Sequence, residues 1–330
     1  MKITNNHDVS LALAVWLLHD EYDYVDNPKY LSVTTLLKPI KQIVMKHRVD
    51  LSDQSIDVMD FVSTSMGTGL HDSIEKAWKL GHKTALKKLG YPQRVIDAVV
   101  INPTKADFDA NPDLIPIYIE QRGTRVVKGW TIGGKFDIVT EGLLQDFKST
   151  STYSWVAGSR DDEHKMQGSL YRWIHNDIIT EDVIRINYIF TDFMKHMANS
   201  NPNYPANRIM HKDIPLLSVD KTERWVEDKI HLIEKYWNAP EEEIPECTDE
   251  ELWRTEPQFK YFSDASKVDV PGARSTKNFD DMASARIFMA EKGGKGAIKV
   301  VEGQVKRCLY CPVASICKQR ERYFPSWVLT

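Results

Sequence analysis

The stretch that most constrains this chain runs from Gly133 to Thr150, GGKFDIVTEGLLQDFKST. Its arms are rich in β-forming residues, and Glu141-Gly142 between them reads as the two-residue turn of a β-hairpin. A loop of that length sets Asp137 opposite Asp146. Side chains paired in this way have Cβ atoms roughly 5 Å apart on one face of the sheet. Lys148, two residues beyond Asp146, shares that face. Two carboxylates and one ammonium therefore converge through local structure alone. Like charges placed opposite each other destabilise a sheet, and a cation between them offsets the repulsion. Carboxylates are hard oxygen ligands suited to Mg²⁺ or Mn²⁺, and an ammonium can face a developing negative charge. A solvated hairpin face with an ordinary ion pair is the competing reading of so short a pattern.

The helix signal that follows, DDEHKMQGSLYRWI, places Gln167 and Tyr171 four residues apart on one helical face. Together, Asp137, Asp146-Phe147-Lys148 and Gln167-x-x-x-Tyr171 resemble the PD-(D/E)xK nuclease superfamily in its RecB-like branch. Phe136 stands where a proline is usual. Upstream, GTGLHDSIE resembles the first motif of RecB-like nucleases, GxxxHxxxE, through Gly67, His71 and Glu75. The glycines are expected to let the start of that helix approach the sheet closely.

The resemblance implies an α/β fold with a restriction-endonuclease-like core, a central mixed β-sheet flanked by helices. It implies that His71, Asp137, Asp146 and the Phe147 carbonyl hold Mg²⁺ or Mn²⁺. Asp137, Asp146, Lys148, Gln167 and Tyr171 would form the catalytic set. The chain has no Walker-type GxxxxGK[ST], so no intrinsic ATP motor is expected. Its compact size without helicase motifs resembles stand-alone phage exonucleases. The implied function is a metal-dependent DNA exonuclease of DNA processing or recombination, with DNA ends or single strands as substrate and a recombination or replication protein as partner. Two other functions stay open: a catalytically silent DNA-end-binding module on the same fold, and a nuclease directed at RNA. The intact Asp137/Asp146/Lys148 set speaks against the silent module.

Composition bounds the rest. A chain of 330 residues, 42% hydrophobic, can bury a sizeable core. A net charge of −4 excludes a generally basic nucleic-acid binder, so any anionic substrate must meet local patches. No apolar run reaches the ~20 residues of a membrane span. The N-terminal MKITNNHDVSLALAVWLLHDE lacks an Ala-x-Ala-like site and reads as a helix rather than a signal peptide, which suggests a cytoplasmic protein, in the host cytoplasm if viral. The expected organisation is a helical part at 1–60, a nuclease core at 61–240, and a C-terminal metal-cluster segment at 241–330 packed on the core.

Along the chain, 7–20 reads as a core helix. Residues 30–49 read as a short strand or loop and then a basic helix interrupted at Pro39, more a solvated face than a phosphate contact. Within 54–89, Gly67 and Gly69 precede a long helix that ends at Gly90. Residues 91–114 read as loop and 115–123 as a strand, with Glu120 either near the site or simply exposed. In the polar crossing 149–162, Tyr153 and Trp155 either stack on unpaired bases, worth ~1–3 kcal/mol per base, or pack under a loop. A strand at 183–193, a loop at 194–216 and an amphipathic helix at 218–237 follow.

Two charge runs close the chain. Residues 240–256 hold eight acidic residues against one arginine and read as a solvated connector. Residues 292–322 hold eight basic residues against two acidic ones and are the leading candidate for DNA-backbone contact. The same region carries Cys308, Cys311 and Cys317, and the only other cysteine is Cys247. Disulfides are not expected without an export signal, so a four-thiolate metal site is the economical reading. The C-x2-C-x5-C spacing, with Pro312 after the second cysteine, resembles the C-terminal cluster motif of iron–sulfur RecB-like nucleases, including AddB-type and CRISPR adaptation nucleases. In those the fourth cysteine precedes the nuclease core, whereas Cys247 follows it. A 4Fe–4S cluster and a structural Zn²⁺ both remain open.

Overall fold

A computed structural model describes residues 2–21, 24–50, 55–158 and 160–325. Gln54 and Ser159, which fall within segments read above, lie outside the described residues. The chain divides into two compact units, Met1–Lys38 with Asp50–Glu234, and Pro39–Val49 with Lys235–Thr330. The first unit begins β1 (Lys2–Thr4), α1 (Leu11–Leu17), β2 (Tyr30–Ser32) and α2 (Val33–Leu36). After α3 (Ile40–Lys46), which belongs to the second unit, come β3 (Ser55–Asp57), α4 (Val62–Lys88), α5 (Gln93–Ala98), β4 (Val99–Ile101) and α6 (Lys105–Ala110). Then follow β5 (Ile115–Val127), β6 (Trp130–Thr140), β7 (Leu143–Thr150), α7 (Thr152–Ala157), α8 (Asp161–Ile174), β8 (Val183–Phe190), α9 (Lys195–Ser200), β9 (Ile209–Pro215) and α10 (Val219–Tyr236).

The main sheet of this unit is mixed and flanked by helices, in the order β4-β5-β6-β7-β8-β9 with β2 also on β6. The pairs β4/β5, β7/β8 and β2/β6 are parallel and the others antiparallel. Two tight reversals shape its centre. Lys128-Gly129 joins β5 to β6, and Glu141-Gly142 joins β6 to β7; all four residues have positive φ. That is the signature of hairpin turns whose twist matches the strands. The register pairs Ile138 with Gln145 and Thr140 with Leu143, as the two-residue loop requires.

Strand β6 has a fork on one edge. Its C-terminal half pairs with β7 only as far as Ile138, while its N-terminal half, Thr131–Gly133, pairs with β2. In between, β7 leaves the ladder, and the Phe147 N–H donates to Asp137 Oδ2 at 2.9 Å instead of to backbone. Helix α8 packs on the sheet through small residues. A Cβ at Gly134 would lie 2.7 Å from the Tyr171 ring and 2.8 Å from Val33 Cγ2, and one at Gly168 would meet Ile184 at 2.9 Å. Along β8, Ile184, Ile186, Tyr188 and Phe190 alternate inward and are buried.

The second unit contains α3, then β10 (Gln258–Phe262), β11 (Lys277–Phe279), α11 (Met282–Glu291), β12 (Ala297–Val301) and α12 (Lys318–Tyr323). Its sheet has the order β11-β10-β12, antiparallel throughout.

Several sequence expectations are corrected. The helix expected in the core at 7–20 is α1, and Leu11, Leu13, Val15 and Trp16 on it are exposed; only Leu17 is buried. Helical spacing had no way to report that this short helix lacks a covering layer. The expected loop 91–114 holds α5, β4 and α6, and the expected loop 194–216 holds α9 and β9, because tertiary pairing overrides Pro- and Asn-rich composition. Gly67 and Gly69 lie inside α4 with nothing near the position of a Cβ, so no close approach requires them. Helix α3 is not a solvated basic face: Ile43, Val44 and Met45 are buried, and buried Lys41 pairs with Glu241 at 2.9 Å. Glu241 in turn removes part of the acidic stretch from solvent.

The turn at Gly142 generates a stability prediction. Its φ is +77°, and a Cβ there would collide with the Thr180 side chain. Gly142→Ala should lower stability by about 1–3 kcal/mol, read as a lower urea midpoint at unchanged slope. An unchanged midpoint would contradict the assigned turn.

Candidate active site

The fork in β6 leaves Asp137, on β6, and Asp146 and Lys148, on β7, beside the neighbouring strand β5 and helices α4 and α8. Three acid–base pairs meet there. Asp137 Oδ1 lies 3.4 Å from Nδ1 of His71 on α4. Asp146 Oδ2 lies 2.7 Å from Lys148 Nζ. Glu120 Oε2, on β5, lies 2.6 Å from Nζ of Lys135 on β6. His71 Nε2 is also 3.1 Å from the Phe147 carbonyl oxygen, so one imidazole touches both sides of the fork. Gln167 on α8 donates to Asp146 Oδ1 at 3.5 Å and to the Tyr171 hydroxyl at 3.3 Å, which ties the carboxylate to the helix.

Glu120 occupies an unusual place. It sits between the ladder pairs Ile119–Ile138 and Gln121–Phe136, level with Asp137, but its φ is +51° and it drops out of the pairing. A non-glycine residue in the left-handed region costs free energy and persists where the surroundings enforce it, commonly at functional sites. Here it turns a carboxylate toward Asp137 and His71. Ligand atoms of His71, Glu120 and Asp137 lie within 4.8 Å of one another, a donor set of one imidazole and two carboxylates. Asp146 stands next to this group rather than in it, held by Lys148 and Gln167. Glu75, four residues along α4 from His71, pairs with Lys79 instead of turning to the group.

The electrostatics follow from burial and pairing. The hydrogen bond to Asp137 raises the His71 pKa to about 9 despite desolvation. Without a metal the imidazole is therefore a cation facing carboxylates. Burial pushes Asp146 up to about 6, against the pull of Lys148. Burial disfavours the Lys148 charge, but Asp146 outweighs it and the pKa is raised. Burial also raises Glu120, opposed by Lys135. Each carboxylate thus has a cation of its own.

Every sequence-predicted residue of the core site, His71, Asp137, Asp146, Phe147, Lys148, Gln167 and Tyr171, falls in this neighbourhood. Glu120 and Lys135 join them. For Glu120 the sequence left two readings open, a place near the site suggested by the family resemblance and an exposed strand position, and its left-handed backbone had no mark in the sequence. Of the two aromatics in the 149–162 crossing, Trp155 packs edge-on against Tyr188 and Phe190, whereas Tyr153 is 74% exposed.

In the second unit the four cysteines come together. Cys247, Cys308, Cys311 and Cys317 line one small cavity with Lys41, Arg307 and Gln319. Gln319 receives the Cys247 N–H at 2.9 Å and donates to the Cys247 carbonyl at 2.8 Å. Burial pushes the Cys247 thiol up to about 12, and the other three cysteines add to the shift. No three of the sulfurs lie within 4.8 Å of one another among the described residues. The basic segment is partly neutralised within this unit: Lys318 pairs with Glu242, Arg322 with Glu246, and Lys299 with Asp269. The acidic stretch expected as a solvated connector is therefore an ion-pair partner of that segment, which leaves Lys292, Lys295 and Lys306 as its lysines outside any ion pair among the described residues.

No protein-family model matches the sequence, and no curated protein matches it. Among solved structures the chain is similar to SSO0001, at 19% identity and a TM-score of 0.40, over 71% of this chain and 90% of that one. It is also similar to a phage-related exonuclease from Haemophilus somnus 129PT, at 13% identity and a TM-score of 0.26, over 61% of this chain and 93% of that one. No helix among the described residues is long and apolar enough to cross a membrane.

Buried His164 on α8 gives a pH prediction. It is 4% exposed, and desolvation lowers its pKa to about 4. A folded-state pKa below the unfolded value of ~6.5 means that protons favour the unfolded chain. Its stabilisation is fully present above pH 6.5 and is lost as pH falls toward 4. Asp146, with a raised pKa, acts in the opposite direction over an overlapping range, so the comparison must be between variants. Urea unfolding at pH 7 and pH 5 should show a steeper acid loss in wild type than in His164→Gln. Equal losses would contradict the burial of a neutral imidazole.

Proposed function

We propose that this chain is a metal-dependent nuclease of the PD-(D/E)xK type, hydrolysing phosphodiester bonds in DNA. The observation that carries this reading is the convergence of His71, Glu120 and Asp137 on one point, with the Asp146–Lys148 pair beside it. The donor set fits Mg²⁺ or Mn²⁺: two carboxylates and an imidazole, with Asp146 and the Phe147 carbonyl adjacent. Bound there, such an ion supplies a water of lowered pKa and polarises a phosphoryl oxygen.

The chain's own residues do the rest. His71 would have to give up its proton to serve as a ligand, because a protonated imidazole has no lone pair to offer. Lys135 would have to release Glu120, since its ammonium at 2.6 Å competes for the same oxygens. Lys148 keeps its charge at neutral pH and presents it next to Asp146, where it can orient the attacking water or hold charge that develops on the phosphate. Gln167 fixes the rotamer of Asp146, and Tyr171, braced against Gly134, fixes Gln167. The choice of DNA, and of chain ends as substrate, rests on the sequence resemblance.

We propose for the second unit that the four cysteines hold a 4Fe–4S cluster. The four cysteines line one shared cavity, where they would supply the four thiolates such a cluster takes. Cys247, Cys308 and Cys311, whose thiol pKa values burial raises, also need such a group in order to ionise together. The role is structural: Cys247 would be tied to the segment of Cys308, Cys311 and Cys317, as Gln319 already ties it through the backbone.

Two tests follow. End-labelled linear DNA, single- and double-stranded, should be cut with Mg²⁺ or Mn²⁺ and not with EDTA, and closed circular DNA should survive if ends are required. Asp146→Asn and Lys148→Ala should each lower the rate by at least ~10²-fold with an unchanged far-UV circular dichroism spectrum; full activity in either would refute the assignment. For the cysteines, anaerobically purified protein should be brown with about four irons per chain, and Cys308→Ser should lose the colour. A colourless protein with one zinc would overturn the cluster.

A further inference from the structure

Beside Lys148 the first unit contains a cavity of about 70 Å³, further lined by Ser149, Thr150, Ser154, Arg160, His164 and Tyr188. The catalytic reading uses Lys148 and leaves this space unexplained. A volume of roughly 10–15 Å³ admits one water, so the cavity has room for a tetrahedral anion with water around it. Its lining holds a guanidinium, three aliphatic hydroxyls, an imidazole and a phenol, and no carboxylate.

Several of these groups are short of a partner in a way an anion would remedy. The Arg160 side chain is exposed and enters no ion pair or hydrogen bond among the described residues, while its carbonyl accepts from the His164 N–H. Thr150 Oγ1 and Ser154 Oγ share one hydrogen bond at 2.7 Å, which leaves one of the two hydroxyl protons to point elsewhere. His164 is buried, and its Nδ1 has no hydrogen-bond partner among the described residues. Buried polar atoms are nearly always satisfied, so an orphan on a cavity wall marks a place where something binds. Desolvation keeps this imidazole neutral, so it carries one N–H to donate at neutral pH.

We infer that this cavity receives a phosphate group of the substrate strand, next to the one being cleaved. The inference rests on the phosphodiesterase reading of the neighbouring site. The planar guanidinium of Arg160 matches two phosphate oxygens at once, and the hydroxyls of Ser149, Thr150 and Ser154 and the ring of His164 take the others. Lys148 lies on the shared boundary, so the two phosphates would be held on either side of one ammonium. The bound group is either a terminal phosphomonoester or the adjoining backbone diester, and Arg160 is a positioning residue for the strand.

The test measures binding first and cleavage second. Fluorescence anisotropy without divalent ions uses four single-stranded oligonucleotides of one sequence: 5′-phosphate, 3′-phosphate, both ends hydroxyl, and both ends hydroxyl with methylphosphonate at the penultimate linkages. A terminal source predicts that one phosphorylated end binds at least about fivefold tighter than its hydroxyl counterpart. A backbone source predicts that methylphosphonate weakens binding by at least about fivefold. In either case Arg160→Ala and Ser154→Ala, with wild-type melting temperatures, should reduce the difference to less than about twofold. No difference in wild type, or one that survives both variants, overturns the site. Cleavage of the same oligonucleotides with Mg²⁺ or Mn²⁺ separates the two readings. Cleavage without any phosphate preference removes the phosphate site alone. An Arg160-dependent preference without cleavage keeps the phosphate site and removes the hydrolytic reading.

Discussion

The departure of β7 from β6 at Asp137 is the event on which the candidate site depends. A continuous antiparallel ladder would satisfy Phe147 N–H with backbone. Here the carboxylate of Asp137 accepts that bond at 2.9 Å, and the edge of β6 is released to pair with β2 farther along. The opening has three consequences. Asp146 and Lys148 are left free to turn toward α8. The Phe147 carbonyl is left free to meet His71. Glu120 on the opposite edge takes a left-handed conformation at the same level and adds a third carboxylate. A backbone hydrogen bond exchanged for a side-chain one thus accompanies a cluster of three acids and three cations.

Burial then sets the chemistry. Asp146 is 3% exposed, and a carboxylate out of water is stable only with a cation or a proton. Lys148 supplies the first, and the raised pKa of Asp146 shows how near the balance lies to the second. The same logic holds for Asp137 with protonated His71 and for Glu120 with Lys135. Charge pairing across this cluster is internal, and no carboxylate in it is left without a cation. In the second unit, Cys247, Cys308 and Cys311, whose thiol pKa values are raised by burial and then by neighbouring cysteines, pose the same problem in sulfur chemistry.

The parts of this arrangement that are local in sequence were legible in it. Glu141-Gly142 fixed a register that holds as far as Ile138–Gln145, the ladder opening before the expected Asp137–Asp146 pair, and the spacing of Gln167 and Tyr171 put both on one helix face. His71 was reachable through its motif. The parts that depend on contacts between distant strands were not. Glu120 was left open between the site and an exposed strand position, because nothing in the sequence marks the left-handed backbone that takes it out of the β5/β6 pairing. Lys135, two residues before Asp137, looked like an ordinary alternating polar position. The strands β4 and β9 were hidden in segments rich in Pro, Asn and Asp, since a sheet edge can recruit weak β-formers. Helix α3 looked solvated because its lysines dominate the sequence, while its buried face contacts residues some two hundred positions away, through Lys41 to Glu241.

The most direct measurement is isothermal titration of the metal-free protein with Mn²⁺ at pH 7.5, repeated in buffers of different ionisation enthalpy. Binding at the His71, Glu120 and Asp137 group must displace the proton that Asp137 stabilises on His71. The account predicts one ion per chain at this site, release of close to one proton, and loss of both in Asp137→Asn. Binding with no proton released, or binding unaffected by Asp137→Asn, would contradict it.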